Sequence, residues 1–334
     1  MKSSKKFRSA AAAAVAFIIA LTFSAHAVEV VSVSVSSNPS TTSNYAPIAE
    51  KLSFTTYKDV AVHGEFAAVD PEGDLLSFCI ATQPRKGRVE VSGRSFVYTP
   101  EIGKKGRDSF SYTAIDAAGN ISDEATVEIC IENAKVKLSY ADMDGHEAEY
   151  AALRLAEAGI YVGEQIGSSY YFKPDETLSR GEFLALCLNT AGLEPLEGIS
   201  RTGFHDDADI PAWEKAYVST ALMAGVVQGY STAEGEIIFS ASDKINGAEA
   251  MVMLNNALKI TDVSEVSLSF TSNDAAPAWA AQAAANLSAC SIVTGSVLPS
   301  AELTRGEAAK MLSASLDLIE ERKENSGSLL SWAW

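Results

Sequence analysis

Arg180 and Arg305 each occupy the third position of a stretch that recurs in the chain: LSRGEFLALCLNTAG at 178–192, INGAEAMVMLNNALK at 245–259 and LTRGEAAKMLSASLD at 303–317. In every copy an apolar residue precedes a capping-type side chain, and a glutamate follows three positions later. The sets are Leu178, Ser179, Glu182; Ile245, Asn246, Glu249; and Leu303, Thr304, Glu307. This is the spacing of a capping box, in which the Ser, Asn or Thr oxygen accepts an orphan helix N–H and the Glu reaches back to the cap. Neither capping nor core packing needs an arginine at the first helical position, and the middle copy has Gly247 there. A cation at the positive end of a helix is mildly unfavourable, so its presence asks for another reason. A guanidinium beside free N–H groups makes a receptor for carboxylate or phosphate. A solvated arginine paired with a nearby acid is the plainer alternative, and these residues alone leave both open.

Other residue types point less far. Asp70, Glu72 and Asp74 in DPEGD, with Asp116 in DAAGN, are hard oxygen donors on two loops and form a weak calcium candidate. Ordinary turn chemistry explains the same residues, since Pro and Gly sit where a type I turn takes them; no metal is assigned. HEAEY at His146 has Tyr150 where a zinc-protease helix needs its second histidine. His63 and His205 are isolated, and neither a G-x-S-x-G elbow nor a phosphate-binding glycine loop occurs. No catalytic residue and no cofactor is therefore assigned. Cys79 and Cys130 alternate with apolar neighbours that turn inward, which sets both thiols on an outer sheet face and leaves their pairing open. Cys187 falls on an apolar stripe with Phe183, Leu186 and Ala191, as a small core residue would.

The elements that must position these residues follow from pattern. Residues 1–27 combine Lys2, Lys5, Lys6 and Arg8 with an apolar run and a terminal AHA, the layout of a cleaved signal peptide. The run is shorter than the roughly 20 residues of a membrane span, and no span is expected after cleavage. Removing these residues takes four positive charges from a net −17 and leaves −21. So acidic a chain lacks the clustered cations that nucleic-acid binding requires. A Ser/Thr/Asn/Pro-rich linker over 28–45 leads to residues 46–133, where short runs such as GRVEV, SFVYTP and EATVEICIE alternate apolar and polar. About seven strands in so short a segment is the rhythm of an all-β sandwich. From about Leu138 the period becomes helical. AGIYVG, AGVVQG and CSIVTG end at Gly163, Gly229 and Gly295, and Trp213 and Trp279 share the same spacing of 66.

Two resemblances follow from these residues. APIAEKLSF…DPEGDLLSFCI…SFVYTP…DSFSYTAIDAAGN resembles the immunoglobulin-like and cadherin-like modules of bacterial surface proteins. The helical part is similar to S-layer homology (SLH) domains over about 140–322. Repeat 1 carries YAD (Tyr140–Asp142), GIYVG and SRGE, with Glu147 at the place of the family's tryptophan. Repeat 2 carries FHD (Phe204–Asp206), Trp213 and GVVQG, with NGAE for the arginine motif. Repeat 3 carries Trp279 and TRGE, with Ser272 for the opening Asp and Ser291 for the first glycine of the turn. The resemblance implies three all-α repeats in a pseudo-threefold triplet that hold an anionic secondary cell-wall polysaccharide in grooves between repeats. Carried over, Arg180 and Arg305 would bind the polymer's acidic groups, and Ser179 and Thr304 would cap or assist. Gly247 leaves the middle groove without its cation.

The expected protein is a secreted, non-catalytic component of the cell wall or S-layer. Its segments are the signal (1–27), linker (28–45), sandwich (46–133), repeats at 138–196, 201–262 and 268–323, and a tail at 324–334. Peptidoglycan and other surface proteins are further candidate partners. Two alternatives stand beside this reading. One is an adhesin whose sandwich binds an external ligand, for which the basic loops QPRKGR and GKKGRD are the visible handle. The other is a wall-associated enzyme without a recognisable motif.

Overall fold

The computed structural model describes residues 44–261, 275–293 and 297–330, without the side chains of 326–330. The expected signal peptide, nearly all of the linker, Ser272 and Gly295 lie outside the described residues.

The sandwich begins with β1 (Ile48–Ala49), β2 (Leu52–Tyr57), β3 (Val62–Glu65), β4 (Ala68–Val69) and β5 (Ser77–Thr82). It continues through β6 (Gly87–Ser92), β7 (Ser95–Pro100), β8 (Gly106–Ile115) and β9 (Ala125–Glu132). One sheet has the order β2-β9-β8-β5 with β2 parallel to β9, the other β3-β7-β6, and β1 pairs with β4. Alternation does what a two-sheet core needs. Along β9, Ala125, Val127, Ile129 and Ile131 are buried, while Thr126, Glu128 and Glu132 are exposed. Phe66, Phe96, Tyr98, Phe110 and Tyr112 fill the space between the sheets. The buried Tyr112 hydroxyl has the carbonyls of Glu50 (2.6 Å) and Ala67 (2.7 Å) as acceptors for its one proton.

The helical part contains α1 (Glu149–Glu157), β10 (Glu164–Ile166), β11 (Ser169–Tyr171), α2 (Arg180–Thr190), α3 (Lys215–Met223), β12 (Tyr230–Ser231), β13 (Ile237–Ile238), α4 (Gly247–Leu258), α5 (Ala281–Ala289) and α6 (Arg305–Leu330). The expectation of all-α repeats is corrected, because the segment between the helices of repeats 1 and 2 forms a hairpin, β10–β11 and β12–β13. In the first, Gly167 takes φ 64° in the two-residue turn, a conformation that tight hairpin turns demand. Helix α6 runs on into the segment expected as a tail, through Leu330.

The apolar residues ahead of the three capping boxes meet at a common centre. Leu178, Ile245 and Leu303 are buried, and their backbones close a ring: Leu178 N–H donates to Leu303 O (3.0 Å), Leu303 to Ile245 (2.8 Å) and Ile245 to Leu178 (3.1 Å). Around this ring lies one continuous core, into which the sandwich contributes Tyr57 and Val60. Tyr57 packs its ring 4.9 Å from that of Tyr150 and donates to Glu157 Oε2 at 2.8 Å. Arg154 on α1 reaches α6, with the Ser313 carbonyl at 3.2 Å and Asp317 at 2.5 Å.

Candidate functional site at the repeat junctions

Each boxed helix begins against the loop of another repeat, in cyclic order. The N–H groups of Arg180 and Gly181 donate to Asp243 O (2.9 Å) and Ala241 O (3.0 Å) of repeat 2. Those of Gly247 and Ala248 donate to Ala301 O (3.0 Å) and Pro299 O (2.9 Å) of repeat 3. Those of Arg305 and Gly306 donate to Glu176 O and Pro174 O of repeat 1, both at 2.8 Å. Orphan N–H groups at a helix start need acceptors, and here the neighbouring repeat supplies two of them. The caps supply the rest. Ser179, Asn246 and Thr304 each accept from the N–H of Glu182, Glu249 and Glu307, whose carboxylates accept in return from the cap N–H at 2.8, 3.2 and 2.9 Å.

The arginines are enclosed. Arg180 is 5% exposed; its Nε donates to Phe239 O (3.1 Å), its Nη1 pairs with Glu249 (3.2 Å), and its guanidinium lies 4.4 Å from the ring centre of Tyr230. Arg305 is 6% exposed, and its Nη1 lies 3.1 Å from Phe172 O, 3.2 Å from Lys173 O and 3.2 Å from Glu176. Burial works against ionisation of Glu176, but the hydrogen bond and charge of Arg305, with Lys173 beside it, outweigh this and hold its carboxyl below the ordinary range. The expectation that both guanidinium groups stand open to an external anion is therefore corrected: each is buried and joins two repeats. The physical reason is that the loop carbonyls at the end of each hairpin point at the arginine and would otherwise be buried without a donor.

The same peptides are held from their other side. Asp142 accepts from the N–H groups of Phe172 (3.0 Å) and Lys173 (2.7 Å), and Asp206 from those of Phe239 (2.9 Å) and Ser240 (2.8 Å). An aspartate from within the repeat and an arginine from the adjacent one thus grip a single turn. Sequence reasoning missed this pairing, although a signal existed. In the sequence, repeat 3 has Ser272 at the place of that Asp, and the start of α4 that meets repeat 3 has Gly247 at the place of the arginine, so the two residue types change together. Gly247 is itself required by space: a Cβ there would stand 2.4 Å from the backbone carbonyl oxygen of Leu298.

Two tryptophans face outward from the repeats. Trp213 and Trp279 are 56% and 61% exposed, in the turns that lead into α3 and α5. Next to Trp213, Glu214 is 3% exposed and lies against Gly181, and its Oε2 is buried without a hydrogen-bond partner. Burial, reinforced by the charge of Glu182, pushes the Glu214 carboxyl up to about 7. In repeat 1, Glu147, at the place of the tryptophan, pairs with Lys310 of α6 at 2.5 Å.

The remaining candidates resolve simply. Asp70 Oδ1 accepts from the N–H groups of Glu72 and Asp74, both at 3.0 Å, while Glu72 accepts from Tyr45 N–H and Asp116 from Asn120 and Asn44. Among the described residues, no group of three or more His, Cys, Asp or Glu is arranged to hold a metal ion. Cys79 and Cys130 are free and sit on strands separated by β8. Cys187 is fully buried, and burial pushes its thiol up to about 12. No helix among the described residues is long and apolar enough to cross a membrane.

Comparison with known proteins bears on both parts. The bacterial Ig domain family matches residues 44–130, and the S-layer homology domain family matches 139–184 and 203–251. No curated protein matches the chain. Among solved structures, human protocadherin-24 EC1-2 is 14% identical over 27% of this chain and 44% of that chain, with a TM-score of 0.23. The SrpA adhesin from Streptococcus sanguinis is 18% identical over 38% of this chain and 83% of that one, with a TM-score of 0.24. An endo-fucoidan hydrolase of glycoside hydrolase family 107 is 20% identical over 28% of this chain, with a TM-score of 0.23, and the match spans 14% of the hydrolase.

Proposed function

We propose that this chain, a bacterial Ig domain followed by an S-layer homology domain, is a secreted, non-catalytic protein held at the cell surface by its helical repeats. In this reading the three repeats form a pseudo-threefold triplet, and the grooves between them engage an anionic secondary cell-wall polysaccharide. The cyclic backbone ring at Leu178, Ile245 and Leu303 supports the triplet, since three equivalent donors and acceptors close on one another.

One observation carries the binding claim. Trp213 and Trp279, at the repeat spacing of 66, leave more than half of their surface open in the turns that lead into α3 and α5. A large exposed aromatic face on a rigid support is the usual platform for a sugar ring, because its apolar area is gained on contact without ordering anything. Arg180 and Arg305 serve this site indirectly, by fixing the walls of the grooves.

Co-sedimentation of the full chain with cell-wall sacculi tests the proposal. The protein is expected to pellet with intact sacculi and to stay in solution once the secondary polymer has been extracted. Equal pelleting with extracted walls would assign the binding to peptidoglycan instead.

A further inference from the structure

One stretch of the sandwich is locally basic in an otherwise acidic chain. Residues 85–107 contain seven Lys and Arg against two acids, in a protein of net charge −17. Arg85 and Lys86 lie in the loop before β6, Lys104 and Lys105 in the loop before β8, and Arg107 at the start of β8; one carboxylate ties these segments together. Asp108 accepts from Arg85 N–H (3.0 Å), Lys86 N–H (2.8 Å) and the Tyr98 hydroxyl (2.8 Å), and Lys86 Nζ crosses to Lys105 O at 3.0 Å. Burial opposes ionisation of Asp108, and these donors outweigh it, so the clasp holds a charged carboxylate at neutral pH.

Arg85 and Arg107 both line an open groove of about 480 Å³ beside the clasp. Both side chains are exposed, and among the described residues neither has an acid within ion-pair distance. Glu128, an outward carboxylate lining the groove, is taken by Lys51 at 2.6 Å. Strand register lays a hydroxyl floor between these charges: Ser53 stands opposite Glu128, which stands opposite Ser109, and Thr55 opposite Cys130, which stands opposite Arg107.

We propose that this groove, between Arg85 and Arg107 on the outer face of β8 and β9, binds a polysaccharide through carboxylate or sulfate groups. A guanidinium meets either oxyanion with paired N–H donors. The serine and threonine hydroxyls donate to and accept from sugar hydroxyls, as a polyol requires. Nucleic acid fits the face poorly, because its groove-lining residues include no aromatic ring on which a base would stack. A peptide strand would add to a sheet edge, whereas this groove lies over the middle of the sheet.

Native electrophoresis of the full chain through gels holding polygalacturonate, dextran sulfate or neutral dextran tests the proposal. Retardation by one or both acidic polymers, and not by dextran, is expected at 0.15 M salt. Polygalacturonate alone would assign carboxylates, dextran sulfate alone sulfates, and both a general oxyanion groove. Arg85→Ser with Arg107→Ser should weaken the retardation at least tenfold while leaving the thermal midpoint unchanged, since both side chains are exposed and unpaired. No retardation by either acidic polymer, equal retardation by dextran, or retardation that the double variant preserves would overturn the assignment.

Discussion

Replacing Arg180 by alanine separates a guanidinium that builds the repeat junction from one that binds a ligand. The substitution removes the donor to Phe239 O at 3.1 Å, the ion pair to Glu249 at 3.2 Å and the contact with the Tyr230 ring at 4.4 Å. An unpaired buried carbonyl costs about 1–3 kcal/mol, and breaking a buried ion pair from one side costs about 3–5 kcal/mol. The two overlap, because both include desolvated partners left behind, so the expected loss is about 3–5 kcal/mol. Relief of the unfavourable cation at the helix start returns only a few tenths of a kcal/mol by order of magnitude. For a chain of this size such a loss lowers the melting temperature by roughly 4–7 °C. Thermal unfolding of the full chain, followed by circular dichroism at pH 7, measures it. A midpoint within about 1 °C of the parent, together with lost wall binding, would refute the reasoning and return Arg180 to the role of polymer ligand.

Two further perturbations probe the other junction residues. Glu214→Gln should stabilise the protein at pH 8 and do little near pH 4.5. With a folded value of about 7 against 4.5 for a free carboxyl, stability falls as pH rises from 4.5 to 7, in total by about 3 kcal/mol; an advantage of the variant that stays constant with pH would contradict this. Gly247→Arg restores the motif of the other two repeats, yet is expected to lower the melting temperature, because any Cβ at 247 meets the Leu298 carbonyl oxygen at 2.4 Å. Overpacking of this kind typically costs about 1–3 kcal/mol, and an unchanged or higher midpoint would show that the loop yields.

Much of this architecture is legible in the amino-acid order, and the reason is locality. The capping boxes at Ser179, Asn246 and Thr304 are set by residues three apart, and the alternation along β9 is set by neighbours. The 66-residue recurrence reports three units before any contact is known. What the arginines touch is not local. Arg180 meets Phe239 and Glu249, and Arg305 meets Phe172 and Glu176, across separations that no spacing within one copy encodes. The open guanidinium was inferred from a helix start considered alone, whereas each start is roofed by an adjacent repeat. The hairpins were missed because strands of two or three residues, such as Tyr230–Ser231, carry too short an alternation to register. Glu214 gives no sign in sequence of being buried, since its enclosure depends on Gly181 in the preceding repeat leaving room.

Titration calorimetry of the full chain with secondary polysaccharide released from cell walls tests the anchoring claim most directly. The account predicts saturable binding that Trp213→Ala with Trp279→Ala weakens at least tenfold, about 1.4 kcal/mol, with no change in the melting temperature. Absence of binding, or an affinity that the paired tryptophan variant leaves intact, would contradict it.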